Sequence, residues 1–225
     1  MRLFKYLIGV VVLAAIALGV LMFGGTSSTA QTDQRDTIKY LPVPGGTYSI
    51  DPAHTVVGFS IRHLEINWVE GRFKDITGEI NFNDKDVTKS SVTFIAKTAS
   101  IDTGVEARNT HLRSADFFEV EKYPEMTFRS ARVQKKGSGY VMSGDLTIKG
   151  VTKPISFPFT MTGAVKDPWG GTRFGVKAET TINRRDFGIN YGNPMPSGGL
   201  DVGNEVHIDL NFEAVKAEPK AATVR

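Results

Sequence analysis

Between Thr55 and Ala214 apolar residues recur at every second position in run after run, the spacing of strands with one buried face, and this excludes an all-helical chain. The last run is the cleanest, with Val206, Ile208, Leu210, Phe212 and Ala214 alternating with Glu205, His207, Asp209, Asn211 and Glu213. Earlier runs place Thr55, Val57, Phe59 and Ile61 on one face, then Ile76, Gly78, Ile80 and Phe82, then Val92, Phe94 and Ala96. The pattern resumes with Met126 and Phe128, then Tyr140, Met142, Leu146 and Ile148, then Ile155, Phe157, Phe159, Met161 and Val165, and then Phe174, Val176, Ala178 and Ile182. Glycine-rich turns separate the runs at 136–139, 149–150 and 167–171. Phe73 is out of phase with Ile76, which predicts a bulge near Lys74-Asp75. Pro154 and Pro158 cannot donate to a ladder, so their strand is expected at an edge or distorted, and regular closure is not assured.

One stretch breaks the alternation. Thr103 to Tyr123 reads as a helix: Thr103 can cap it, Val105, Arg108 and Leu112 recur at helical spacing, and Pro124 stops it. Eight or so antiparallel strands with one inserted helix make an all-β, extended lipocalin-like barrel, preceded by an N-terminal hydrophobic segment. Strands of about 9 to 13 residues reach ~30–40 Å, long enough for a deep interior.

The N-terminal segment has the form of an export signal. Arg2 and Lys5 precede an uncharged run from Tyr6 to Phe23, and small and polar residues follow. Its 18 residues exceed the ~7–15 of a cleaved core and fall just short of the ~20 that span hydrocarbon comfortably. Cleavage after Ala30 and retention as an anchor are both open. Either way the positive flank stays inside, so the body is expected outside the cytoplasm, in the periplasm or another extracytoplasmic space, with residues 6–23 able to hold it at the inner membrane. The expected organisation is a signal or anchor at 1–30, a flexible linker at 31–46, the barrel at 47–216 and a tail at 217–225.

Composition narrows the chemistry. With no cysteine, the chain cannot form disulfides, hold an iron–sulfur cluster, use a thiolate nucleophile or carry a lipoprotein acyl group. The 27 Lys and Arg less Arg2 and Lys5 leave 25 against 24 acidic side chains, so the body is nearly neutral and nucleic acid is not an expected partner. No nucleophile elbow, Walker loop or dinucleotide fingerprint occurs, and no catalytic residue is assigned. His54, His63, His111 and His207 lack zinc-site spacing, so no metal is expected. Two Trp and six Tyr are few for the aromatic girdles of a transmembrane barrel.

The inward face carries Phe59, Phe82, Phe94, Phe128, Met142, Phe157, Phe159, Met161, Phe174 and Phe212, with Gly78, Ala96 and Gly144 between them. An eight-stranded barrel is near the size at which such a lumen is either filled by side chains or holds one small ligand. Periodicity alone does not distinguish a packed barrel from a hollow one.

Several motifs resemble the YceI-like family over roughly residues 47–215. Tyr48-Ser49-Ile50-Asp51-Pro52-Ala53-His54 is similar to its opening, and Phe59-Ser60-Ile61-Arg62-His63-Leu64 with Val69-Glu70-Gly71-Arg72-Phe73 to its first hairpin. More specific are Ser100-Ile101-Asp102-Thr103-Gly104, the run from Arg108-Asn109-Thr110-His111 to Phe118, and Tyr123-Pro124-Glu125-Met126-Thr127-Phe128. Gly144-Asp145-Leu146-Thr147-Ile148-Lys149-Gly150 through Pro154, and Arg184-Arg185-Asp186-Phe187-Gly188, complete the match. Asn109 departs from it, standing where the family usually has Asp, and an amide there would weaken a pairing with a basic neighbour. The resemblance implies an exported protein whose hollow lumen holds an isoprenoid chain, such as a quinone tail or a prenyl diphosphate.

Together these readings predict a carrier for an isoprenoid or fatty-chain lipid that needs no cofactor and works at a membrane surface or from its N-terminal anchor. A homodimer is compatible with the sequence. His63, Arg108, His111 and Arg113 are the candidate head-group contacts, with Asp102 and Asp116 as acids that could instead dock the helix arginines. Arg184-Arg185-Asp186-Phe187-Gly188 reads mainly as architecture, with Asp186 able to accept from Arg184. Two rival functions stay open: an enzyme or redox accessory acting on bound lipid, and a membrane-tethered interaction module with a filled barrel.

Overall fold

The alternating runs pair into one antiparallel sheet that closes on itself. The structure, a computed structural model, describes residues 38–217; the expected signal or anchor, the first part of the expected linker and the tail beyond Ala217 lie outside the described residues. Its strands are β1 (Gly46–Ile50), β2 (Val56–His63), β3 (Asn67–Phe73), β4 (Ile76–Phe82), β5 (Ser91–Lys97), β6 (Ile101–Asp102), β7 (Glu125–Lys136), β8 (Gly139–Ile148), β9 (Val151–Met161), β10 (Val165–Lys166), β11 (Thr172–Asn183) and β12 (Val202–Lys216). Neighbours run β1-β4-β5-β7-β8-β9-β11-β12, and β12 returns to β1, giving a closed eight-stranded ring. The β11–β12 seam carries eleven residue pairs, from Arg173↔Val215 to Asn183↔Glu205.

Three of the staves are bent rather than straight. β1 and β2 lie end to end beside β12, separated by a short 3-10 turn at Pro52–His54. The predicted bulge falls where β3 gives way to β4, and it lets both Phe73 and Ile76 point inward. β5 and β6 break likewise at Thr98–Ser100. The proline strand β9 pairs with β8 over nine residues but with β11 only at Phe159, Thr160 and Met161. Pro154 and Pro158 lie in the stretch without a β11 partner, where their missing N–H groups leave no gap in a ladder. The Arg184–Phe187 turn packs against β9 there.

The helix is shorter than predicted. α1 spans Glu106–Arg113, and Val105, not Thr103, is its N-cap residue. The chain then turns: Phe118 N donates to Leu112 O and Glu119 N to Ser114 O, and Glu119 adopts a left-handed φ of 50°. Two consecutive aromatic residues decide this. Phe117 is buried with Ile148, Phe187 and Ile189, and Phe118 beside it bridges that cluster to Phe73, which it meets edge-on, so both consecutive rings are turned inward.

The two ends of the barrel differ. At one end Tyr48, Ile80, Phe82, Phe174 and Ala214 fill the interior. Tyr48 donates to Pro44 O at 2.7 Å and meets Phe174 edge-on at 4.9 Å. Its burial, with the nearby Asp84 charge, raises the phenol pKa. Leu41 exchanges backbone bonds with Ala164, so the chain is held here before β1 begins. At the other end lie α1, the 115–123 turns, the β2–β3 hairpin and the loop from Arg184 to Asp201.

Candidate functional site

The middle of the barrel is hollow. Inward-facing Phe59, Phe94, Ile208, Leu210 and Phe212 are only half-buried although they sit inside a closed ring, because they border a cavity. Its volume is about 450 Å³, within the ~300–1,000 Å³ of small-molecule sites. All ten Phe and Met positions predicted for the lumen line it. Phe94 and Phe212 stack across it, ring centroids 6.0 Å apart and planes at 21°. Gly71 and Gly144 take part by absence: a Cβ on either would collide with the ring of Phe59 or Phe128.

The charged and imidazole side chains that reach this cavity gather at its open end. His63, Arg108, His111, Arg184, Tyr191 and Asp201 all line it there. Arg108 donates from Nε to Thr103 Oγ1 and from Nη2 to Thr103 O, both at 2.8 Å. His111 Nε2 lies 2.8 Å from Asp116 Oδ2, and its ring meets Tyr191 edge-on at 4.8 Å. Arg113 is not brought to the cavity. It is turned along the outside of the helix, donating to Glu106 Oε1 and to the carbonyls of Ala99 and Ile101, because its place at the last turn of α1 faces the β5–β6 connection.

The Asn109 amide is held on both sides. It is buried, and its Oδ1 accepts from Thr103 N and Oγ1 at 2.8 and 2.7 Å. Its Nδ2 lies 3.3 Å from Glu106 Oε2 and 3.5 Å from Asp102 Oδ1, where a carboxylate would meet two others. Asp102 itself pairs with Lys74 at 3.1 Å, not with a helix arginine, and backbone donation from Gly104 with the Lys74 bond lowers its pKa. Asp116 pairs with His111 rather than with an arginine.

Arg184 is the functional candidate that sequence reading treated as architecture. It is only 3% exposed, and its guanidinium donates to three carbonyls: Gly203 O at 2.7 Å, Ile189 O at 2.9 Å and Val202 O at 2.9 Å. Among the described residues it makes no ion pair, and Asp186 does not accept from it. Burial lowers its pKa, with the Arg185 charge adding to the effect. A signal for it existed, since position 184 continues the inward phase of Phe174, Val176, Ala178, Thr180 and Ile182. Tyr191, in an irregular loop, offered none. Gly188 adopts the expected left-handed φ, 73°.

A second polar cluster lies on the outer wall near the filled end. Asp51, His54 and Glu213 bring ligand atoms within 4.8 Å of one another. The Arg173 guanidinium already occupies the place a cation would take, with Nη1 2.6 Å from both Asp51 Oδ2 and Glu213 Oε1 and Nε 2.6 Å from Asp167 Oδ2. Bonds from His54 and Arg173 pull the Asp51 pKa down to about 2, and the same bond raises that of His54.

A closed eight-stranded antiparallel barrel with one inserted helix and a deep apolar cavity open at one end defines a lipocalin-like binding protein. Residues 48–214 match the YceI-like domain, and the chain belongs to that family. A UPF0312 protein of Photorhabdus laumondii is 39% identical over 175 residues, covering 78% of this chain and 84% of its own. One from Yersinia pestis is 35% identical over 211 residues, 92% of this chain and 97% of the relative. Among solved structures, a Campylobacter jejuni YceI protein is 32% identical with a TM-score of 0.60, over 75% of this chain and 96% of that one. A polyisoprenoid-binding domain from Saccharophagus degradans shares the fold at 18% identity, with a TM-score of 0.58 over 76% and 98% of the two chains.

Proposed function

We propose that the protein sequesters a long-chain lipid, an isoprenoid such as a quinone or prenyl diphosphate or a chain of similar shape, with the tail in the hollow barrel and the head at the basic rim. The observation that carries this reading is the apolar cavity of about 450 Å³ with Phe and Met walls, flanked by His63, Arg108 and His111 only at its open end. Phenylalanine and methionine surfaces suit a slim, flexible guest. The polyisoprenoid-binding relative with the same fold supports the isoprenoid class. Binding needs no cofactor and no catalytic group. Export, with residues 6–23 as signal or anchor, belongs to the same reading.

Burial supplies the driving force. At ~0.8 kcal/mol per CH₂, a tail of about twenty carbons gains over ~10 kcal/mol against water, but a bilayer offers nearly the same environment. Transfer between membrane and barrel is then close to balanced, as a carrier requires.

Detergent-free purification, native mass spectrometry and organic extraction test this reading. One prenyl or fatty chain per protein is the expected result, and a clean apo mass that also refuses added quinone would overturn it. Phe212→Arg puts a charge into the cavity at a half-buried position and is expected to abolish retention in a folded barrel. Turnover of the extracted lipid, rather than its recovery unchanged, would replace the carrier with an enzyme.

A further inference from the structure

Large apolar side chains are left exposed at both ends of the barrel, Tyr40, Leu41 and Trp169 at the filled end and Leu64, Ile66 and Trp68 on the β2–β3 hairpin, but only the hairpin group stands beside residues that line the cavity opening. Ile66 is 80% exposed and Leu64 39%, although they lie within three residues of His63, which lines the cavity. The backbone makes this unusual. Leu64 and Glu65 both hold left-handed conformations, φ 53° and 59°, which folding alone would assign to Asn or Gly. A branched apolar side chain at such a position, turned to solvent, serves no packing purpose that the described residues show. Glu65, the one charged group of the tip, is folded back, its Oε1 3.4 Å from Leu200 N.

Behind the tip the outer wall changes character. Trp68 stands two residues down β3, with the Arg62 guanidinium 4.6 Å from its ring centroid and the His207 ring 4.7 Å away. An exposed apolar tip followed by a tryptophan with basic neighbours is the order in which side chains meet hydrocarbon and then head groups at a bilayer surface.

We propose that the barrel docks on a phospholipid bilayer through Leu64, Ile66 and Trp68, with the cavity opening held against the membrane. The site deepens the carrier reading and rests on it: a chain passing from bilayer to lumen beside His63 and Tyr191 would not cross water. The chain's other tryptophan sits at the opposite end. Trp169 is 82% exposed in the β10–β11 turn, beside the Asp167–Arg173 ion pair and at the filled end of the barrel.

The two tryptophans make the test direct in the full-length chain, where residues 6–23 could bind vesicles by themselves. Trp169→Phe leaves Trp68 as sole reporter, and Trp68→Phe leaves Trp169. With phosphatidylethanolamine/phosphatidylglycerol vesicles carrying brominated acyl chains, Trp68 is expected to shift to the blue and be quenched while Trp169 is unaffected. Quenching of Trp169 instead, of both equally, or of neither overturns the proposal. So does shielding of Trp68 that grows with protein concentration without vesicles, since a second copy would then cover the tip. Leu64→Asn with Ile66→Asp, checked for folding by circular dichroism, is expected to remove the Trp68 quenching and to slow uptake of a fluorescent quinone from vesicles by about tenfold. Quenched Trp68 in a protein that holds no lipid would refute the carrier reading and leave docking in place; bound lipid with Trp68 unquenched would do the reverse.

Discussion

The two ends of this barrel are closed by opposite means. At the filled end, regular strands deliver Tyr48, Phe82 and Phe174 into mutual contact, and an arginine bound to three carboxylates ties Asp51, Asp167 and Glu213 together on the wall outside. At the open end the strands stop, and turns, a two-turn helix and a long loop take over. There the buried arginine, Arg184, has carbonyls rather than carboxylates for partners, and Leu64 and Ile66 face solvent beside the cavity opening. The difference separates stability from exchange. An end that must never open can be packed and ion-paired, whereas an end that passes a ligand needs groups fixed by backbone contacts and a surface left uncovered.

The largest effect is expected where packing is densest. Tyr48→Ala removes a fully buried ring that meets Phe174 edge-on and is not among the residues lining the cavity, and should cost about 3–5 kcal/mol in denaturant unfolding while lipid bound per folded molecule changes little. Lipid loss matching that of an open-end variant would break the comparison. Arg184→Met comes next. Three buried carbonyls lose their donors, a cost of about 3 kcal/mol, and here lipid retention should fall together with stability. Arg184→Lys, with fewer donors and no planar fork, should recover only part of either.

The ion network predicts a pH dependence with a definite sign. The Asp51 pKa is held down to about 2, so its contribution is complete above the ordinary carboxylate value near ~3.9 and is lost as pH falls through about 2. Arg173→Met returns Asp51 toward the ordinary value, so acid unfolding followed by circular dichroism should begin at higher pH, with about 1 kcal/mol lost at neutral pH. His54 has the opposite sign. Its raised pKa gives a contribution present below the ordinary ~6.5 and lost as pH rises through the folded-state value. The smallest effect sharpens the contrast: Ile66→Asp at the open end should change stability by no more than about 0.5 kcal/mol, since the side chain is already exposed.

Much of this architecture was legible because alternation is local. A strand's two faces are set by residue parity, so the ten lumen residues, the break at Lys74-Asp75 and the irregular pairing of the proline strand could all be read along the chain. The helix is shorter than its periodicity predicts because its end depends on where Phe117 and Phe118 must pack, which no helical spacing encodes. Among the rim candidates, His63, Arg108 and His111 reached the cavity and Arg113 did not. Three residues along a helix set which side chains are neighbours but not which strand connection the last turn will face.

By itself, then, the sequence determined which residues face inward, where the strands bend and that the chain carries no thiol chemistry, since each of these is a matter of residue identity and period. Only the tertiary structure decided that the middle is hollow. Whether inward side chains meet depends on the radius at which eight staves close, and that radius follows from the number of strands and their stagger around the whole ring. The same closure put Arg184 among three carbonyls that follow it in the chain and left Leu64 and Ile66 without a partner, because contacts between distant segments exist only once the ring is shut.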